Sequence, residues 1–306
     1  MGLFDFLFKP KAPPSRPGAD KPRTKAKLKK YDLKKRFELY ARSGQGSMSK
    51  VWRAYDRTVG RTVALKLLDK AKTAKFESRF IGRNKPSEGE ICLDLNHPNI
   101  VKTFDYGVTT SGDPFLSMEW IEGVGLNFLV ETKSPGLQRK AVDYLTQICD
   151  ALEYMHKEKW LHRDLCPRNV MVTNEGKIKL IDFGLTVPYT PLFCEPGNRT
   201  GTPDYLAPEI IKRQATDHRV DLFALGVTAY EVFTGGLPWP QARGSMDVLL
   251  KHLRQDPRDP RDAKPGMSDA MRAFLLKSIE RDPKDRFQSA AEFREALAKL
   301  PPTPED

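Results

Sequence analysis

No stretch of the 306-residue sequence approaches the eighteen or more consecutive apolar residues of a membrane-spanning helix. The longest candidate, Leu222 to Phe233, is interrupted by Gly226 and Glu231 and reads as a buried helix. Cysteine is scarce: the four residues at 92, 149, 166 and 194 form no CxxC pair and no Cys/His cluster. That spacing argues against a zinc site and a disulfide framework, and it fits a reducing, cytoplasmic setting. A secretory leader is not expected either. MGLFDFLF at the start is too short for a signal core and is followed, not preceded, by positive charge. Phe6 stands where the myristoylation pattern requires Ser or Thr. There is no internal repeat.

What is abundant is positive charge, +11 overall, and its location decides its meaning. Residues 1–36 hold twelve basic side chains against three acidic ones, which leaves only +2 for the remaining 270 residues. The body is therefore nearly neutral and no nucleic-acid partner is expected. Residues 9–30 combine proline and lysine with almost no apolar side chains, so they cannot offset the entropy of ordering. Residues 1–34 are expected to be a disordered tail. Its apolar patch and lysines suggest peripheral contact with the inner membrane surface or with a partner through residues 1–30.

Beyond the tail the patterning changes twice. RFELYAR, SKVWRAYD and RTVALKLLD read as strands, and one helix is expected at about Lys75 to Leu95. From Gln138 to Lys157 the period becomes helical, with Val142, Leu145, Ile148, Leu152 and Met155 on one face. Further helices are expected at Asp221–Phe233, Met246–Leu253, Asp269–Ile279 and Ala290–Leu300. The fold class is thus α+β, a small strand-rich part followed by a larger helical part, with a crevice between.

Several short motifs carry chemistry. SGQGSMSKV (Ser43 to Val51) lies between two strand patterns, where Gly44 and Gly46 would let a hairpin close over phosphates. VALK places Lys66 on a strand within reach of phosphate oxygens, and a glutamate on the next helix, Glu88 or else Glu90, could hold it. HRDLCPRN supplies Asp164 and Asn169, and LIDFG supplies Asp182 thirteen residues later. Two carboxylates and an amide oxygen are hard oxygen ligands suited to Mg²⁺ and to accepting a hydroxyl proton. Each motif alone is weak, but their order makes coincidence a poor explanation.

In that order they strongly resemble the eukaryotic-type (Hanks-type) protein kinases over about residues 37–300, and bacterial serine/threonine kinases in flavour. GTPDYLAPE at 201–209, DLFALGV at 221–227 and Arg286 in RDPKDRF add to the match. The resemblance implies a two-lobed kinase fold at 35–300: an antiparallel β-sheet N-lobe with one helix (35–118), a hinge (119–123), and a mainly α-helical C-lobe (124–300), with 301–306 as a short tail. It implies ATP and Mg²⁺ as cofactors and Ser/Thr-bearing proteins as substrates. The backbone of Gly44, Gln45, Gly46, Ser47, Met48 and Ser49 would cover the ATP phosphates, and Lys66, paired with Glu88, would contact them. Val51, Ala64 and Met171 would sandwich adenine, with Met118 behind it and Glu119 to Ile121 as the hinge. Asp164 would be the base, and Asn169 and Asp182 the metal ligands. Thr202 would bond the catalytic loop. Arg163 would meet a phosphorylated activation segment, for which Thr186, Thr190 and Thr200 are the candidates, Thr200 first. Glu209 and Arg286 would form a buried structural ion pair. Self-association is expected for autophosphorylation in trans.

Three departures from the family pattern bear on activity. Ser49 replaces the third glycine of the phosphate loop. Cys92 and Thr103 stand, with His162 and Phe183, in the apolar stack that joins the lobes, where they bury less apolar surface. Cys166 replaces the lysine that contacts the transferring group, while Arg168 occupies the position from which many tyrosine kinases supply their cation. The expected function is an active serine/threonine kinase. The alternative from another class is a pseudokinase that binds ATP and serves as a scaffold.

Overall fold

The computed structural model of the chain describes residues 29–45, 49–197, 199–239 and 245–301. The tail before Lys29 and the loop residues Gly46, Ser47 and Met48 lie outside the described residues, as do the side chains of Gly44 and Gln45. Six strands form one sheet: β1 Lys30–Tyr31, β2 Phe37–Gln45, β3 Ser49–Asp56, β4 Arg61–Leu68, β5 Thr103–Thr109 and β6 Pro114–Glu119. Their spatial order is β1-β5-β6-β4-β3-β2. The three strands read from sequence patterning are β2, β3 and β4. Alternation fails in β2, where Leu39 and Tyr40 are both about half exposed. It is an edge strand whose register shifts twice against β3.

The sheet is mixed, not antiparallel throughout as expected, because β1 runs parallel to β5. The carbonyls of Lys29 and Tyr31 accept the amides of Val108 and Thr110. Gly107 makes this approach feasible, since a Cβ there would fall 2.8 Å from the Tyr31 ring. The folded body thus begins by Lys30, ahead of the boundary expected at residue 35. Although β1 and β2 are opposite edges, only Asp32 to Arg36 separate them. Six flat strands at about 4.8 Å spacing would hold the edges about 24 Å apart. Residues in a helical turn advance only about 1.5 Å each, and Leu33–Arg36 is such a turn, capped by Asp32. The sheet must therefore curl until its edges meet. Phe37, Ala54, Val63, Leu65 and Phe115 fill the curl. Arg36 closes it, buried, donating to both oxygens of Asp56 and to Asp105. Burial opposes ionisation of Asp56, but the Arg36 guanidinium outweighs it and holds the carboxyl below its ordinary range.

The single helix expected at Lys75–Leu95 is two. Asp69 caps a helix at Lys70–Glu77, which tightens into a 3-10 turn at Ser78–Phe80. Gly82 and Asn84 then adopt positive φ, Pro86 follows, and a new helix starts at Glu88–Asp94. Ser87 and Glu90 form a capping box that fixes this second start.

In the C-lobe the long helix is Pro135–Lys157. It buries Leu145, Ile148, Leu152 and Met155, but Val142 is 37% exposed; Ala141 and Tyr144 take the place expected for it. Helices at Arg219–Thr234, Ser245–Arg254, Asp269–Ser278 and Ala290–Ala298 match the expected ones to within a few residues. The first is buried almost all round. Gly226 lets it touch the next layer, since a Cβ there would lie 2.5 Å from the Ser278 carbonyl oxygen. Among the described residues no helix is long and apolar enough to cross a membrane.

Glu209 and Arg286 form the expected buried pair, with two parallel bonds of 2.9 and 2.8 Å. Arg286 also donates to the carbonyls of Arg219, Glu280 and Arg281, tying four segments together. Arg286→Ala strands the Glu209 carboxylate in the interior. It should cost about 3–5 kcal/mol, read as a lower urea midpoint; an unchanged midpoint would show that the pair contributes nothing.

Candidate active site

Lys66 lies on β4 opposite Val51 of β3. Its Nζ is 2.7 Å from Glu88 Oε1 and 3.0 Å from Asp182 Oδ1. Burial would favour the neutral amine, yet the Asp182 and Glu88 carboxylates outweigh it and keep Lys66 cationic far above its ordinary range. The choice between the two candidate glutamates follows from the capping box. Glu90 is spent on the amide and hydroxyl of Ser87, which leaves Glu88, two residues back and on the opposite side of the helix, to meet the lysine. Gly89 lets this helix sit on β5, because any Cβ there would overlap the Tyr106 ring. Asp182 Oδ1 also accepts the Gly184 amide at 3.0 Å, and its side chain stays 42% exposed.

The catalytic-loop candidate is held from below. Asp221, fully buried in the first turn of the Arg219–Thr234 helix, accepts the amides of His162 and Arg163 at 2.9 and 2.8 Å and contacts His156 Nε2 at 2.9 Å. Burial opposes its charge, but the His156 bond and its neighbours hold the carboxyl below the usual range. Those bonds support Arg163 at φ 67°, a conformation L-residues rarely adopt. Sequence reasoning singled out the DLFALGV motif without giving Asp221 a task. The available signal was a carboxylate directly ahead of the apolar run Leu222 to Val227.

Asp164 follows this bend. Its Oδ1 accepts both the amide and the hydroxyl of Thr202, each at 2.8 Å. Asn169 Nδ2 donates to the Asp164 carbonyl at 2.7 Å and to Oδ2 at 3.2 Å. Burial nevertheless raises the Asp164 pKa, the two Thr202 bonds pulling the other way. The predicted bond of Thr202 to the catalytic loop is thus present.

Cys166 is buried, and burial pushes its thiol up to about 11. It is a neutral filler and not a reactive thiolate. Arg168 is exposed, yet its guanidinium interacts with Cys166, Tyr205 and Asp164, which together outweigh partial burial and raise its pKa. Beneath it Tyr205 donates a short bond to Glu231, a pair that sequence reading did not find. Of the four expected stack residues, the His162 and Phe183 rings are 5.3 Å apart, and Cys92 and Thr103 are buried beside each other.

Among the residues expected to enclose adenine, Ala64 pairs with Met118 across β4 and β6, and both are buried. Met171 lies half-buried on the C-lobe strand Val170–Thr173. Glu119 is fixed by Lys179 and by the Lys102 amide, each at 2.7 Å, and Ile121 packs on the core.

The protein kinase domain family matches residues 37–298. This chain belongs to that family. The chain is 34% identical over 280 residues to the serine/threonine-protein kinase PknB of Mycobacterium tuberculosis, a match covering 88% of this chain and 43% of that protein. A probable serine/threonine-protein kinase of Streptomyces coelicolor is 33% identical, with 85% and 39% covered. One of Clostridium perfringens is 31% identical, with 89% and 39% covered. The chain therefore spans about two-fifths of the length of these relatives.

The three candidate threonines of the expected activation segment differ in access. Thr190 is exposed and Thr200 half-buried. Thr186 is fully buried with its hydroxyl toward the His162 carbonyl, so in this conformation it is not available for modification. Arg163 is itself buried.

Proposed function

We propose that this chain is a magnesium-dependent serine/threonine kinase that transfers the γ-phosphoryl group of ATP to protein hydroxyls and to its own Thr200. The observation that carries the reading is the Lys66 ammonium held between Glu88 and Asp182. It brings the phosphate-contacting lysine of one lobe into register with the candidate metal ligand of the other. A scaffold has no chemical need for that register, and still less for Asp164 and Asn169 alongside it. The bonds of Thr202 to Asp164 favour Ser/Thr over Tyr acceptors, in line with the names of the relatives.

Asp182 and Asn169 fit Mg²⁺ by donor chemistry. The Asn169 amide nitrogen is engaged by Asp164, which turns the amide oxygen away from it, and the Asp182 carboxylate is partly open. When bound, the metal neutralises phosphate charge. Lys66 holds the α- and β-phosphates. Val51, Ala64 and Met171 enclose adenine, and the Glu119–Ile121 backbone bonds its edge. Asp164 orients the acceptor hydroxyl and takes its proton as oxygen bonds to the γ-phosphorus and the bond to the β-phosphate oxygen breaks. The raised pKa of Asp164 makes it a better base than an exposed aspartate. Arg168 supplies the positive charge that position 166 lacks.

Asp164→Asn should lower transfer from γ-labelled ATP to a protein acceptor at least a hundredfold, with nucleotide binding retained. Equal rates in the two proteins would return the reading to a scaffold. Thr202→Val removes a donor that favours the ionised Asp164, so its pKa should rise further and the acid limb of kcat/KM should move to higher pH. A limb that stays put or moves down would separate Thr202 from the base. Arg168→Ala should cost on the order of a hundredfold in kcat, recovered in part by adding Cys166→Lys; an indifferent Arg168→Ala would end the compensation idea.

A further inference from the structure

One end of the six-stranded sheet carries a groove of about 970 Å³ that plays no part in the proposed reaction. It lies where β3 begins at Ser49 and Lys50, β4 ends at Leu67 and Leu68, and the chain turns through residues 109–113 from β5 into β6. The turn at 32–34 and the first residues of the Lys70–Glu77 helix complete its walls. Only the curl of the sheet brings that turn opposite the end of β4, so the groove is the open end of the curl, a common place for ligands.

Its floor and rim differ in chemistry. Leu33 and Leu67 are half-buried and pack back onto the cluster inside the curl, and Leu68 is buried. Around them stand Lys34, Lys50 and Lys70, exposed, each on a different element, and none of these three has an ion pair among the described residues. Lys70 Nζ reaches the β5–β6 hairpin, 3.4 Å from where a Cβ on Gly112 would stand. The neighbouring aspartates are engaged elsewhere. Asp32 accepts the amides of Lys34 and Lys35 at 3.0 and 3.3 Å, Asp69 the amide of Lys72 at 3.0 Å, and Asp113 the hydroxyl of Ser111 at 2.6 Å. They fix the turns and the helix start that shape the groove.

We propose that this groove docks an acidic peptide segment of a protein partner, its carboxylates on Lys34, Lys50 and Lys70 and an apolar side chain on Leu33 and Leu67. Charge complementarity sets the sign of the ligand. The apolar floor and the spread of the cations set its class. A single phosphate is best held by several donors converging on one point, whereas these amines stand on three elements around the rim. A flat lipid surface would meet the rim and leave the floor uncovered. An extended acidic chain engages both, because successive side chains point to opposite sides. Only Ser49 is common to the groove and to the residues expected around ATP, and docking stands whether or not the kinase reading does.

The test is fluorescence anisotropy on the full chain with a labelled peptide in which glutamate alternates with leucine. Lys34→Glu, Lys50→Glu and Lys70→Glu together should weaken its binding at least about tenfold. Lys21→Glu, Lys25→Glu and Lys27→Glu together change the net charge equally but lie in the tail, and should weaken it no more than about twofold. Two altered peptides probe the groove without altering the protein. Glutamine for every glutamate should weaken binding at least about tenfold, and serine for every leucine at least about threefold. A wild type that does not bind the first peptide overturns the proposal, as does loss of binding in the tail variant with the groove variant unaffected. An unchanged affinity for the serine peptide overturns the docking mode. If the groove variant keeps the peptide but no longer sediments with phosphatidylserine vesicles, the lysines serve a membrane and the peptide partner is refuted.

Discussion

A buried ammonium must be neutralised, and Lys66 achieves this only by gathering carboxylates 22 and 116 residues away in the chain. Glu88 comes from a helix whose start is set by a capping box, and Asp182 from beyond the catalytic loop. Without Lys66 the Glu88 carboxylate would be left buried without its cation, at a cost of several kcal/mol. The lysine therefore acts as a three-way constraint on β4, the Glu88 helix and the Asp182 turn. The β5 strand is drawn in too, because the Glu88 helix rests on Tyr106 through Gly89. Beyond β5, through Gly107 and Tyr31, lies the point where the chain enters the sheet.

A second buried charge does comparable work in the other lobe. Asp221 is held by hydrogen bonds from two backbone amides and by an imidazole. That is why it can impose backbone geometry, in particular the positive φ of Arg163, on the residue before Asp164. Its depressed pKa means that this stabilisation is present above the carboxylate's unfolded value of about 4 and is lost as pH falls through the lower folded value. Acid should thus loosen the catalytic loop through Asp221 as well as protonate Asp164.

Much of this was legible in the residues themselves. Lys66, Asp164, Asn169 and Asp182 announce themselves by type and order, while Glu209 with Arg286 was reached only through the resemblance to the family, since Arg286 lies among other charges in RDPKDRF. Other features depend on long-range pairing that leaves no local trace. Lys30–Tyr31 is too short to show a strand period, so neither β1 nor the curl it closes could be read from it. Phe76 and Phe80 at i and i+4 look like one face of a helix continuing to Leu95. The break appears only when Gly82, Pro86 and the Ser87/Glu90 box are weighed together. Val142 fell on the expected face by period alone, but a helix packed on one side has room for only part of that arc, which Ala141 and Tyr144 occupy.

Cys166 illustrates how a substitution is absorbed. A lysine at a fully buried position would need a carboxylate partner to stay charged, and Asp164 would then carry one more bond to its ionised form, lowering its pKa. The neutral thiol removes that demand, and burial, which raises its own pKa to about 11, keeps it from adding negative charge beside the base. Under the proposed reading the positive charge is supplied by Arg168, whose side chain is exposed and whose guanidinium interacts with Cys166, Tyr205 and Asp164. Tyr205 in turn donates to Glu231, whose carboxyl also interacts with Arg168. On that reading the cation has moved from the buried position to the rim, which leaves burial free to raise the pKa of Asp164.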